Sequence, residues 1–192
     1  MKSEQLIEDL ETITRSNIHL TETHLQSLSN EQLLWKPKKE SWNILEIMAH
    51  LNQYANYYQE AFKKKMQKTR YNVPTAVFTS SPLGKSAWKS MKLGNARNVK
   101  RKIKSPKAYN PTYHKELVTG NDLTTFLTFQ NELLELIIKA TSFNLKRVKI
   151  PISVSKIIRL RLGDALMFVV FHNERHVQQA LNLLSNKDFP QN

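Results

Sequence analysis

Residues 164–184 read DALMFVVFHNERHVQQALNLL, 21 positions without proline or glycine in which apolar residues recur at helical spacing. At 100° per residue His172 and His176 differ by about 40°, so they lie one turn apart on one face. Ala165, Phe168, Val169 and Leu183 share that direction, which turns both imidazoles toward a packed interior and away from water. Buried imidazoles need partners. A metal ion is one, because neutral imidazole nitrogen ligates zinc, nickel, iron or copper.

Three more segments of the same kind lie upstream. Residues 3–28 place Leu6, Leu10, Ile13, Leu20 and Leu28 on one stripe, with acids early as a helix dipole prefers. Residues 44–68 follow a connector, 29–40, in which Pro37 forbids helix continuation. Asn43 with Glu46 three positions on has the form of a capping box. Residues 122–141 carry Leu123, Phe126, Leu127, Leu133, Leu134 and Ile137 as a core stripe. Regularly spaced short strands are missing, so the pattern predicts an all-α fold, a four-helix bundle forming a single domain over residues 1–192. The link at 71–120 is too long for a structureless loop in a compact domain and predicts short helices, such as 85–91, packed over one end. The other link, 142–162, predicts an extended stretch at 148–154 around Pro151.

Composition narrows the chemistry. The 192 residues hold 29 Lys and Arg against 16 Asp and Glu, a net charge of +13, with 40% hydrophobic residues, so a folded chain is expected. The absence of cysteine removes disulfides, thiolate zinc sites, iron–sulfur clusters and cysteine nucleophiles, leaving histidine and carboxylate as metal ligands. Only four glycines occur, none in a phosphate-cradling pattern. No run of 18 uncharged apolar residues and no leader-like start is present, which predicts a cytoplasmic protein without a membrane span. The positive excess sits in one place: residues 61–115 hold 15 basic residues and no acid. An anionic partner is one reading of this segment and a solvated lysine-rich cover is the other. Lys100-Arg101-Lys102-Ile103-Lys104, with Trp88 and Tyr109 in the same connector, carries no helix-turn-helix, zinc-finger or RNA-binding pattern, so nucleic acid is not the expected partner.

The third histidine of interest is His50, whose face also carries Asn43, Glu46, Ile47, Tyr54, Tyr57 and Ala61, a mixed polar and aromatic surface suited to a pocket wall. His50, His172 and His176 together make a three-histidine set from two helices, leaving coordination positions open as a catalytic site requires. A His pair at this spacing is, taken alone, more often structural, and a metal-free polar cluster is the competing reading. His24 falls near the first stripe and is expected as a satisfied core histidine, while His19 and His114 are not candidates. Glu174 lies about 160° around the helix from His172 and is no ligand. Glu46 is open as a carboxylate behind the ligands or as a cap, and Tyr54 and Tyr57 as pocket lining or packing.

The motifs resemble those of a known family. Trp35-Lys36-Pro37, then Ser41-Trp42-Asn43-Ile44, then His50-Leu51 is similar to the first signature of the DinB-like superfamily, W-x-P, S-W-[ST]-I and H-[LI]; Leu162-Gly163-Asp164-Ala165 followed by His172, His176 and Gln179 resembles its last helix. The resemblance spans about residues 30–184. It implies an up-down-down-up four-helix bundle, a homodimer, and a divalent metal (nickel, zinc, iron or manganese) on His50, His172 and His176. It also implies a metal-dependent enzyme of the type that transfers low-molecular-weight thiols such as bacillithiol, mycothiol or glutathione, the ion binding the thiol as thiolate. The substrates would then be a small thiol and an electrophile. The long basic connector departs from the family pattern and is expected to cap the metal pocket, with Lys100, Arg101, Lys102 and Lys104 available to the carboxylates of a thiol. The alternative is a non-enzymatic binding module whose basic segment engages nucleic acid or another anionic partner. Steep salt dependence would mark that module, and sensitivity to chelators would mark the enzyme.

Overall fold

The structure, a computed structural model, describes residues 1–94 and 105–191. Its six α-helices are α1 (Ser3–His24), α2 (Asn30–Leu34), α3 (Ile44–Lys68), α4 (Pro82–Met91), α5 (Asp122–Lys139) and α6 (Leu162–Leu184), and strands β1 (Lys149–Ile152) and β2 (Ser155–Arg161) join α5 to α6. The chain is therefore mostly helical but not all-α. Residues 149–161 are rich in β-branched side chains, and Pro151 denies them a helix. They pair as an antiparallel hairpin in the register Ile150 to Leu160 and Pro151 to Arg159, with an irregularity after Pro151. Ile150 and Leu160 are buried, which anchors the hairpin in the core.

The starts expected at Ser3, Ile44 and Asp122 and the ends expected at Lys68, Met91 and Leu184 hold, while α6 begins two residues earlier, at Leu162, and α5 ends at Lys139. α1 stops at His24, and α2 forms within the predicted connector because Ser29 and Gln32 make a reciprocal capping box. The box predicted at Asn43 and Glu46 starts α3. α4 begins at Pro82, sooner than expected, where the Ser81 hydroxyl accepts from the Gly84 amide at 3.0 Å. Such a cap contributes about 1 kcal/mol.

The four long helices, α1, α3, α5 and α6, pack on one another, α1 and α3 each touching both α5 and α6. Between α3 and α5 the side-chain amide of Asn52 donates to the Asp122 carbonyl at 2.9 Å and that of Gln59 to the Phe129 carbonyl at 2.7 Å. Two apolar clusters fill the interior. One includes Leu6, Leu10, Tyr58, Phe62, Ile137 and Val170. The other includes Leu25, Ile44, Ile47, Leu51, Phe126 and Val177. His50 directly precedes Leu51 of the second and lies one turn before Tyr54 of the first, and residues 172–176 lie between Phe171 and Val177, so the histidines stand where the clusters meet.

α4 is clamped to the start of α6. Asp164 Oδ2 accepts from the Ser81 amide at 3.0 Å and from its hydroxyl at 2.9 Å. A Cβ on Gly84 would lie 2.1 Å from Asp164 Cγ, whereas one on Gly94 would meet nothing within 4 Å. Gly84→Ala is thus expected to cost about 1–3 kcal/mol and lower the melting temperature by several degrees. Gly94→Ala is the control in the same thermal scan; equal melting for both would mean that the clamp is not tight. Lys100, Arg101, Lys102 and Lys104, expected to reach a thiol, lie outside the described residues. No helix among the described residues is long and apolar enough to cross a membrane.

Candidate metal centre

α3 delivers His50 and α6 delivers His172 and His176 to one point, with one ligand atom from each lying within 4.8 Å of the others. His50 and His172 are buried at 2% and 4% exposure, and His176 is partly buried. The rings meet edge to face, with centroids 5.2 Å apart for His50 and His172 and 4.7 Å for His172 and His176. His50 Nε2 stands 3.3 Å from His172 Nε2.

The tautomers follow from the partners. His50 Nδ1 is 2.6 Å from the Tyr109 carbonyl, which can only accept, so Nδ1 carries the proton and Nε2 keeps its lone pair. His176 Nδ1 is 2.9 Å from Gln179 Oε1, which has the same consequence. Burial pushes the His50 imidazole down to about 4, against the opposing pull of the Tyr109 carbonyl. His172 is held well below the ordinary histidine value by burial first, then by His176, His50 and Arg175. His176 is lowered by burial and by His50 and Arg175, with Gln179 opposing. All three rings are therefore neutral near pH 7, the state in which imidazole ligates a metal.

Aromatic rings wall the site. Trp42 lies 4.9 Å from His50 and stacks at 6.1 Å on His176, its indole N–H donating to the Thr112 hydroxyl at 3.0 Å. Tyr54 lies 5.0 Å from His50 and 4.6 Å from His172, and Phe168 stacks on His172 at 5.8 Å. The long connector does reach the site, through Tyr109 and Thr112.

The remaining candidates resolve against a role. Glu46 is occupied as a cap: Oε2 accepts from the Asn43 amide at 2.9 Å and Oε1 pairs with Lys36 at 2.6 Å. Tyr57 donates to the Ile152 carbonyl at 3.0 Å and ties α3 to the hairpin. His24, expected in the core, is exposed, because α1 ends there and its apolar face passes to Leu25. His19 is exposed and His114 pairs with Glu116 at 2.8 Å. Sequence reasoning missed the Trp42 wall and the Tyr109 carbonyl. Trp42 lies outside any helix, where periodicity cannot place it, and a carbonyl is common to every residue. The S-W motif was the only signal available.

Comparison with curated proteins and with solved structures finds no match. A family model does match, over residues 13–180, a span that contains both motif regions and all three histidines. With the match extending over most of its length, the chain belongs to the DinB superfamily.

Proposed function

We propose that the protein is a metal-dependent enzyme in which His50, His172 and His176 hold one divalent transition metal, and that it transfers a low-molecular-weight thiol to an electrophile. The convergence of three neutral imidazoles carries this reading. Two nitrogens bound to one ion at about 2.0–2.1 Å and a near-tetrahedral angle stand about 3.3 Å apart, which matches the separation of His50 Nε2 and His172 Nε2. The free lone pair of His50 Nε2 faces His172 Nε2, which in the metal-free protein donates a hydrogen bond to it and in the loaded protein would turn its own lone pair to the shared ion. When bound, the ion would lower the pKa of a thiol or water placed on it.

The chain's own groups orient the ligands and exclude water. The Tyr109 carbonyl and Gln179 fix the outward nitrogens of His50 and His176, and Trp42, Tyr54 and Phe168 surround the rings. Gln179→Leu is expected to weaken metal binding about 10- to 100-fold, the usual cost of losing a partner behind a ligating histidine. Competition with a chromophoric chelator would read it, and an unchanged affinity would mean that Gln179 orients nothing.

The same proposal includes a single domain with its long helices in up-down-down-up order and a homodimer in the cytoplasm. Supporting the helix order, the Asn52–Asp122 and Gln59–Phe129 contacts keep one offset along α3 and α5, as parallel neighbours would. The connector is long enough to return the chain between them. Sizing against the 22.4 kDa chain tests the dimer.

The primary test is metal content by elemental mass spectrometry on protein purified without a histidine tag, followed by loss of free thiol with an electrophile present. About one equivalent of metal and turnover abolished by EDTA are expected. Protein that is metal-free and refuses added nickel, zinc, iron and manganese would overturn the reading.

A further inference from the structure

Beside the histidine centre, and separated from it only by rings, lies a cavity of about 260 Å³ between α3, α4, the hairpin and α6. Tyr54, Tyr58 and Phe168 form its inner wall, and Leu83, Val154 and Ile158 its open side. Tyr54 and Phe168 are the same rings that pack on His172. The residues at the mouth are 52%, 60% and 40% exposed. An apolar cavity of about 150 Å³ already accommodates benzene, so this one has room for a chain or fused ring of about six to ten carbons.

Two of the segments that line it are basic. Residues 136–163, which include the hairpin, hold seven basic residues and no acid, and residues 81–94, which include α4, hold three and none. Arg159 lies beside Tyr57 on the hairpin and is exposed. Asp164, at the start of α6, is buried and accepts from Ser81. The tyrosines of the wall are phenols, neutral near pH 7, and bring no negative charge.

We propose that this cavity is the subsite for the apolar body of a small organic anion, about six to ten carbons long, on which the histidine centre acts. The proposal rests on the metal-enzyme reading for its chemistry and on the cavity for its specificity. Shape selects the apolar body, the basic residues of α4 and the hairpin select an anionic substituent over a cationic one, and the shared rings bring the ligand next to His172.

The test uses the full chain, EDTA-treated so that no carboxylate can bind through a metal, titrated calorimetrically with octanoate, butyrate and octylamine. Octanoate should bind about 250-fold tighter than butyrate, since each of four methylenes is worth roughly a factor of four, and octylamine should not bind measurably. Ala87→Trp, which fills the cavity from α4, should abolish octanoate binding. Leu83→Glu at the exposed mouth should weaken it at least tenfold while Leu83→Lys retains it, a charge contrast that misfolding cannot mimic. Octanoate should also shift the His172 ring resonances in proton NMR.

Metal content of the same variants is measured separately. Normal metal binding with no octanoate binding, or octanoate binding indifferent to Ala87→Trp and to the charge at position 83, overturns the subsite and leaves the metal-enzyme reading standing. Octanoate binding in a protein that takes no metal confirms the cavity as a binding site and overturns its link to catalysis.

Discussion

His172→Ala is expected to take the protein from about one bound transition-metal ion per chain to none and to abolish thiol consumption with it. His172 is central to the cluster: its Nε2 stands 3.3 Å from that of His50, and its ring meets His176 at 4.7 Å. Loss of a ligand should weaken binding more than the 10- to 100-fold associated with an outer partner. Stability follows by linkage. A ligand at a thousand times its dissociation constant stabilises the folded state by about 4 kcal/mol, so the metal-loaded parent should melt roughly 10 °C above the variant. EDTA should erase most of that difference. A variant that only melts lower, with a parent that holds no metal, would make the three histidines a polar cluster of the core and nothing more.

Acid is expected to destabilise the metal-free protein steeply between about pH 6.5 and pH 4. The folded chain keeps the three imidazoles neutral, while the unfolded chain protonates them near the ordinary value of about 6.5. Below that pH the unfolded state binds more protons, so stability falls as pH falls, and the loss for each ring is complete once the pH is below its folded value. For His50, whose folded value is about 4, the loss is about 3 kcal/mol. His172 and His176 are lowered in the same direction and add to it. Against a typical total of about 5–15 kcal/mol this is a large share of the stability. Urea midpoints of EDTA-treated protein should be flat above pH 7 and collapse toward pH 5, and His50→Phe should flatten the curve. Metal-loaded protein should hold its midpoint to lower pH because the ion competes with the proton. A midpoint steady from pH 7 to pH 5 would mean that the rings are not buried neutral.

The face argument on α6 and the mixed face of α3 were legible in the bare sequence because each depends only on helical periodicity. His172 and His176 were on one side of one helix before any packing was known. The Asn43–Glu46 box was legible for the same reason, since capping is a contact over three residues. Its consequence for function was not: Glu46 could be a cap or a support for the ligands until Lys36 was seen to occupy its other oxygen. His24 illustrates the opposite failure. Its angular position lies near a stripe that, in three dimensions, ends at that residue.

Local pattern thus determined where α1, α3 and α5 begin, which side of each long helix is apolar and which three histidines belong together, because helix spacing and capping act over a few residues. Tertiary structure alone decided the rest. It paired Ile150 with Leu160 to make a hairpin from a stretch expected only to be extended, brought the Tyr109 carbonyl 2.6 Å from His50 across 59 residues, laid Trp42 over the rings and opened the cavity beneath α4. These are contacts between parts of the chain far apart in sequence. They depend on how surfaces fit once buried, and no local periodicity encodes that fit.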